Sequence, residues 1–220
     1  MEKPPVLEVY DSVAESWNKR HYKTRSWIRF FRPMLKKGDV VLDAGCGNAV
    51  NAISFAPFCK KIYAVDFSQK MVFFAKKNVR KAKLSKKIAV SKADVLALPF
   101  KDSFFDVAAY FAVAHHFFGK RDLQALFSEM SRVLKKKGIA FVTVRGEAWS
   151  LEAANKTMFF NYTAKTGRAL PLIYSFLGKK TLVSAASKNR LALRKFFFER
   201  KGVLCRKKEA RNLCLVLQKL

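Results

Sequence analysis

Short apolar runs alternate with stretches of helical periodicity along most of the chain. The runs that predict buried strands are Val40–Asp43, Ile62–Asp66, Ile88–Asp94, Phe105–Phe111 and Ile139–Val144. Between them, apolar residues recur every three or four positions, most clearly over Leu123–Leu134, and this spacing predicts helices. Such alternation is typical of an α/β fold with a doubly wound, Rossmann-like, mostly parallel sheet and helices on both faces.

The two ends of the chain depart from this alternation. Helical spacing over 6–17 and over Ser26–Leu35 predicts two helices before the first strand. Near the other end we predict a helical stretch over about 175–193, and then a closing antiparallel pair formed by Phe196–Leu204 and Asn212–Leu217. We therefore divide the chain into a helical extension, 1–37, and one α/β domain, 38–220.

Composition limits the class of protein. The chain has 220 residues, half of them hydrophobic, which is enough for one domain with a core and excludes disorder. It contains no apolar run that could span a bilayer and no signal-peptide core, so we expect a cytoplasmic protein without membrane contact. The four cysteines lack disulfide or zinc spacing, so we expect reduced thiols and no metal.

The charge is the unusual feature of the composition. Forty-four Lys and Arg face sixteen Asp and Glu, a net charge of +28. The excess is blocked: 19–37 and 76–92 each hold eight cations and no acid, and 179–211 holds twelve cations and two acids. These blocks favour a nucleic-acid partner bound through its phosphates, with an anionic membrane surface or a merely solvated surface as the alternatives.

A glycine turn follows the first predicted strand and opens the next helix, in the order Gly45-Cys46-Gly47. Glycines at this place let the backbone approach a ligand closely. Asp43 precedes the turn, Asp66 ends the second strand 23 residues later, and Asp94 ends the third. Because strand ends meet at one crevice, the three acids are expected to line it, with Asp66 placed to bind both hydroxyls of a ribose.

The acids and the turn select the ligand. A dinucleotide turn carries a further glycine, which is absent here, and Asp43 would repel a pyrophosphate. A ligand with an ammonium, a sulfonium and an adenosine suits the three acids better. We therefore favour S-adenosylmethionine over a nicotinamide cofactor.

Several ordered motifs strengthen this choice: they span 41–49, 65–68, 93–100, 105–107 and 130–139. In this order they resemble the class I S-adenosylmethionine-dependent methyltransferases. The resemblance implies that Asp43, Gly45 and Gly47 hold the methionine end, Asp66 the ribose and Asp94 the adenine amine. Cys46, Phe67 and Val95, which adjoin these residues, complete the predicted cofactor site, and 38–220 becomes the methyltransferase domain.

A second resemblance concerns the acceptor, the molecule that receives the methyl group. Segments 9–14, 45–48, 112–117 and 210–217 resemble the wobble-uridine tRNA carboxymethyl methyltransferases, including the methyltransferase domain of AlkB-type homologues. The resemblance implies methyl esterification of a carboxymethyl group on a tRNA wobble uridine. It also implies tRNA as partner and a small zinc-binding activator subunit in a heterodimer. The match weakens between 146 and 195.

The residues predicted to act on this acceptor come from the extension and the strand ends. We expect Arg20 or Arg25, with Arg145, to clamp the carboxylate, and His115 to hydrogen-bond the base or the carboxymethyl group. The histidines of the Ala112–Phe117 run could instead cap a helix and pack. Two other functions remain open: a small-molecule methyltransferase of the quinone kind, and a non-catalytic, basic RNA-binding protein of the same fold.

Overall fold

The fold is seen in a computed structural model that describes residues 6–23, 25–145, 157–163, 169–175 and 177–220. Its helices are α1 (Val6–Arg20), α2 (Ile28–Phe31), α3 (Val50–Phe55), α4 (Gln69–Lys81), α5 (Gly119–Val133) and α6 (Lys179–Lys188). None of these described helices combines the length and the apolar composition that crossing a bilayer requires. The first five residues of the predicted extension lie outside the described residues.

Within the described residues, eight strands form the main sheet, and two more form a separate hairpin. The strands are β1 (Val40–Ala44), β2 (Lys61–Asp66), β3 (Ile88–Lys92), β4 (Phe105–Phe111), β5 (Leu134–Arg145), β6 (Thr157–Thr163), β7 (Ala169–Ser175), β8 (Leu191–Arg200), β9 (Val203–Leu204) and β10 (Asn212–Lys219). The order in the main sheet is β3-β2-β1-β4-β5-β10-β8-β9, while β6 pairs with β7.

The directions of the strands confirm the predicted fold class. Strands β1 to β5 pair in parallel, with Val41 opposite both Ile62 of β2 and Val107 of β4. Strand β10 then runs antiparallel to both β5 and β8, which is the predicted closing pair. All five parallel strands therefore point their carboxyl ends to one rim, which we call the carboxyl-end rim.

Apolar side chains fill both faces of the sheet. Neighbouring residues of β1 take opposite faces: Leu42 packs in the cluster that contains α5 and α6, and Val41 in the one that contains α2, α3 and α4. Both are fully buried, and burying a side chain of this size contributes about 1.5–3 kcal/mol. Burial on both sides explains why the strands are continuous apolar runs rather than alternating ones.

Several predicted boundaries were wrong. The helix predicted over Ser26–Leu35 contains only α2 and a following 3-10 turn at Arg32–Met34, because Pro33 lacks the amide that would continue the helix. The helical stretch predicted over about 175–193 is longer than the helix in the structure, which is α6 alone. The first residue of the predicted stretch, Ser175, is the last residue of β7, and its last three residues belong to β8, which begins at Leu191. The hairpin β6–β7 was not predicted, since an apolar run alone does not distinguish a strand from a helix.

Candidate cofactor and acceptor site

The turn between β1 and α3 has the backbone geometry that its glycines suggest. Gly45 and Gly47 have φ of +67° and +54°, in the left-handed region that favours glycine. A Cβ on Gly45 would lie 2.6 Å from the Val113 side chain, so no larger residue fits without displacement. Ala49 also has a positive φ, +63°, a backbone conformation that residues with a side chain seldom adopt. The turn thus brings bare backbone to the carboxyl-end rim.

Asp66 ties the end of β2 to this turn. Its Oδ2 accepts a hydrogen bond from the backbone amide of Gly47 at 2.8 Å, and its Oδ1 accepts one from Ser68 at 3.0 Å. Burial raises the pKa of Asp66 to about 6, although these two amides oppose the rise. The side chain also lines the cavity described below, as the ribose assignment requires.

The other two predicted acids lie in different surroundings. Asp94 is exposed, lines the cavity and accepts a hydrogen bond from the Leu96 amide at 2.9 Å. Asp43 is buried, with 1% of its surface exposed, and does not line the cavity. Burial raises its pKa to about 7, and its Oδ2 has no hydrogen-bond partner among the described residues. Direct contact between Asp43 and a ligand therefore stays a prediction.

A cavity of about 570 Å³ lies at the carboxyl-end rim. Every other residue of the predicted cofactor site lines it, namely Gly45, Cys46, Gly47, Phe67 and Val95. Burial raises the pKa of the Cys46 thiol well above its ordinary value, which keeps it protonated and argues for packing rather than nucleophilic attack.

Helix α1, from the predicted extension, forms one wall of the cavity. Val6, Tyr10 and Trp17 line it from this helix. The Asp11 carboxylate holds the helix to the start of α4, because it accepts hydrogen bonds from the Ser68 hydroxyl at 2.5 Å and the Lys70 amide at 3.3 Å. The extension is therefore part of the site rather than a separate appendage.

Three asparagines fasten the other end of α1. The Asn18 Oδ1 accepts hydrogen bonds from the side-chain amides of Asn48 at 3.0 Å and Asn78 at 2.8 Å. Asn48 follows the glycine turn and is 2% exposed, and its amide also reaches the His21 carbonyl at 2.9 Å. Helix α1, the glycine turn and α4 are thus joined by one network of amides.

Two neighbouring histidines, which follow β4, also line the cavity. His115 is 2% exposed, packs edge-on against the Tyr174 ring, and has no described hydrogen-bond partner at Nδ1. His116 Nε2 lies 3.0 Å from the Tyr10 hydroxyl of α1. Burial lowers the pKa of both, that of His116 to about 3, so both rings are neutral and act as hydrogen-bonding groups rather than as cations.

Three arginines line the same cavity. Arg25 and Arg145 were predicted, and Arg211 was missed. Arg145 stacks over Tyr174, with 5.2 Å between the guanidinium carbon and the ring centre. Arg20, also predicted, does not line the cavity. It is exposed, and its guanidinium turns back along α1 to the carbonyl and hydroxyl of Ser16.

The pairing of β10 with β5 places Arg211 at the cavity. Strand β10 is antiparallel to β5, and Asn212 pairs with Arg145, so the residue before β10 lies next to the end of β5. The predicted closing strand pair did not include this pairing, so no sequence signal indicated Arg211. None indicated Tyr174 either, which comes from the unpredicted hairpin.

The cavity fits S-adenosylmethionine at one end. Its volume lies within the usual range for small-ligand sites, about 300–1,000 Å³. In a chain with few acids, Asp66 and Asp94 line this end, and the buried Asp43 has an unpartnered oxygen behind the turn. Burial raises the pKa of Asp43 and Asp66, and such desolvated acids suit a ligand that brings positive charge, as a sulfonium and an ammonium do.

Comparison with known sequences agrees with this geometry. Residues 42–142 match the protein family described as "Methyltransferase domain". A tRNA (carboxymethyluridine(34)-5-O)-methyltransferase of Arabidopsis thaliana is 29% identical over 163 residues, which cover 74% of this chain and 37% of that protein. A demethylmenaquinone methyltransferase of Lactobacillus johnsonii is 32% identical over 117 residues, 50% of this chain and 46% of that one. The chain spans less than half the length of either relative.

Solved structures show the same fold. The crystal structure of an S-adenosylmethionine-dependent methyltransferase from Clostridium acetobutylicum superposes with a TM-score of 0.74, covering 96% of this chain and 99% of the other. Sequence identity across that superposition is 17%, so this likeness concerns the fold alone. It extends over both the main sheet and the elements that close it.

Proposed function

We propose that this chain, a class I S-adenosylmethionine-dependent methyltransferase in its motifs and its fold, methylates the carboxymethyl group of a modified wobble uridine in tRNA. One observation supports this acceptor above the others. The cavity that holds the cofactor residues is also lined by Arg25, Arg145 and Arg211. Three guanidinium groups on one cavity indicate an acceptor that carries negative charge.

A carboxylate acceptor reduces what the protein must do. When bound, S-adenosylmethionine supplies an electrophilic methyl group on a sulfonium. A carboxylate is already ionised at neutral pH, so the chain needs no general base to make it nucleophilic. The tasks left for the residues are to hold the carboxylate in place and to exclude water.

The arginines and histidines divide these tasks. In the proposal Arg25 and Arg145 donate hydrogen bonds to the carboxylate through their paired N–H groups, with Arg211 beside them. His115 and His116 remain neutral next to Arg145, so they add no charge and can hydrogen-bond the uracil ring or the carboxymethyl group. The Tyr10, Trp17 and Tyr174 rings supply apolar walls against which a base can stack.

A small-molecule acceptor is the second candidate, and the Lactobacillus relative favours it. A quinone acceptor would need an apolar pocket. Against it stand the three arginines that line the cavity, since an uncharged quinone ring carries no anionic group for a guanidinium to bind. A non-catalytic RNA-binding protein of this fold would have no reason to keep Asp66 and the glycine turn together.

Incubation with a labelled methyl donor and bulk tRNA, followed by nucleoside digestion and mass spectrometry, tests the proposal. We expect label in the methyl ester of 5-carboxymethyluridine, and none with Asp66→Ala. Label in a quinone acceptor but not in tRNA would replace the proposal with the second candidate. The zinc-binding activator subunit stays a prediction, and activity of the chain alone would show that it is dispensable.

A further inference from the structure

A basic segment that begins at the end of β8, which we call the basic hairpin, lies beside the cavity. It covers 200–211, between β8 and β10, and contains the short edge strand β9. Its cations are Arg200, Lys201, Arg206, Lys207, Lys208 and Arg211, against the single acid Glu209. Because β10 is antiparallel to both β5 and β8, its start and the end of β8 lie at the carboxyl-end rim, where the cavity opens.

Buried hydrogen bonds fix the basic hairpin in this place. Glu199, fully buried at the end of β8, accepts hydrogen bonds from the Gly202 amide at 2.7 Å and from the Asn212 side chain. On the outer side, the Arg29 guanidinium donates to the Gly202 carbonyl at 3.3 Å. A carboxylate is rarely buried without such partners, and here they hold the turn rigidly against the segment that follows α1.

The basic hairpin is continuous with the cavity. Arg211 belongs to both, since it ends the hairpin and lines the cavity together with Asn212 and Arg145. On the other side, Gly202 lies against Ser26, one residue after the cavity-lining Arg25. A polyanion whose end enters the cavity would therefore lie across this hairpin.

Strand β9 of the basic hairpin exposes apolar side chains among the cations. Val203 is 63% exposed and Leu204 is 59% exposed. A surface that only serves solubility has no need of such residues, whereas nucleic-acid interfaces often combine cations for phosphates with apolar side chains against bases or sugars. Lys201, Lys207 and Lys208, which are exposed, flank β9.

We propose that the basic hairpin is the docking surface for the phosphate backbone of the RNA whose modified base enters the cavity. This inference rests on the proposed function, because it assumes an RNA acceptor. The proposal also distinguishes the cationic blocks of the chain by their position, because they do not all lie at the carboxyl-end rim. The second half of α4 returns the chain to the amino ends of β2 and β3, so the block at 76–92 lies mostly at the opposite rim of the sheet.

An anionic membrane is the other polyanion that a cationic loop with exposed apolar side chains could bind. The structure favours RNA because the charge continues from the hairpin into the cavity at Arg211, Arg145 and Arg25. A lipid headgroup surface would contact only β9 and the lysines that flank it, and its binding would not need cations inside the cavity. Binding to vesicles is therefore one outcome of the test.

The test compares two matched triple variants of the full chain. In the first, K201Q/K207Q/K208Q neutralises the basic hairpin. In the second, K77Q/K81Q/K86Q removes the same charge from exposed positions of α4 and the following loop. Both are checked for S-adenosylmethionine affinity and thermal unfolding, and affinity for a fluorescein-labelled anticodon stem-loop RNA is measured by anisotropy over a range of salt concentrations.

We expect the hairpin variant to bind the RNA about tenfold or more weakly at low salt, and with a slope of log affinity on log salt that is smaller by about 2, as loss of three phosphate contacts implies. The control variant should bind the RNA within about twofold of the unmodified protein, since the only change it shares with the hairpin variant is the lower net charge. Single variants K201Q and K208Q repeat the comparison if the triple variant loses cofactor affinity.

Equal losses in the two triple variants would overturn the proposal, and so would loss of binding to phosphatidylserine vesicles but not to RNA. Failure of the proposed function is recognised separately, through the nucleoside 5-carboxymethyluridine, which has no phosphates. If the unmodified chain, assayed together with the predicted activator subunit, methylates neither this nucleoside nor tRNA, the acceptor is wrong. If the hairpin variant methylates the nucleoside normally and tRNA with a raised KM, both proposals hold.

Discussion

The carboxylate of Asp66 lies 2.8 Å from the backbone nitrogen of Gly47, so the end of β2 and the glycine turn after β1 share one hydrogen bond. A second bond, from the Ser68 amide, fixes the other carboxylate oxygen. The acid is therefore oriented before any ligand enters, and its remaining lone pairs are available at the cavity wall. This arrangement puts the carboxylate that we predict to bind the ribose and the bare backbone of the turn on the same side of the cavity.

Replacing Asp66 with alanine should abolish most cofactor binding. Hydrogen bonds to a charged group are worth about 1.5–3 kcal/mol each, so loss of the ribose contacts predicts at least a hundredfold weaker affinity for S-adenosylmethionine by calorimetry, or about 3 kcal/mol. The control is Asp102→Ala, an exposed acid paired with Arg132 away from the cavity. Equal affinities for the two variants would contradict the assignment.

Asp43 predicts a pH effect on stability. Burial raises its pKa from 3.8 to about 7, so the folded chain holds this proton more tightly than the unfolded chain does. Stability from this group is full below about pH 4 and is lost as the pH rises through about 7. The isosteric variant Asp43→Asn lacks this loss, so at pH 8 it should be more stable than the unmodified chain, by at most about 4 kcal/mol.

Urea unfolding without cofactor at about pH 5 and pH 8 measures the effect of Asp43→Asn. Its advantage over the unmodified chain should be larger at pH 8. Asp66, with a pKa raised to about 6, titrates in both proteins, so the comparison reports the charge at position 43 together with its repulsion by Asp66. An advantage that is the same at both values, or larger at pH 5, would show that Asp43 is charged in the fold.

If Arg25 and Arg145 hold the acceptor carboxylate, we expect that replacing one of them weakens binding of the acceptor and not of the cofactor. Arg145→Gln should raise the KM for the acceptor by about tenfold to a hundredfold, because a charge-assisted hydrogen bond is worth about 1.5–3 kcal/mol, and should leave cofactor affinity unchanged. The matched control is Arg20→Gln, since Arg20 lies outside the cavity and bonds to Ser16. If Arg20→Gln impaired the acceptor as strongly, the placement of the clamp would be wrong.

The asparagine network predicts that α1 controls access to the cofactor. Asn18→Ala removes the acceptor for two side-chain amides, of which that of Asn48 is buried, and should cost about 1–3 kcal/mol of stability. Because the helix wall loosens, S-adenosylmethionine should dissociate faster in stopped-flow measurements. Ser12→Ala on the same helix, which breaks only a bond to the Val9 carbonyl, serves as the control. Unchanged dissociation in Asn18→Ala would show that α1 does not gate the cavity.

Much of the cofactor end could be predicted from the sequence because its residues are set by local chain geometry. An apolar run that is buried on both faces identifies a parallel strand, and each such strand ends at the same rim. Once β1, β2 and β3 were recognised, Asp66, Asp94 and the glycine turn had to meet at the cavity, and the structure places them there. No long-range information was needed beyond the order of the strands.

The acceptor end was decided by tertiary structure. Arg211 reaches Arg145 only through the pairing of β10 with β5, and Tyr174 reaches His115 only through the hairpin β6–β7. Arg20 lies in the predicted segment but bonds back to its own helix, a choice among rotamers that spacing does not determine. Periodicity reports which face of an element is apolar. It does not report which distant elements that face will contact. The charged groups of the acceptor end lie at contacts between elements that are far apart in the sequence.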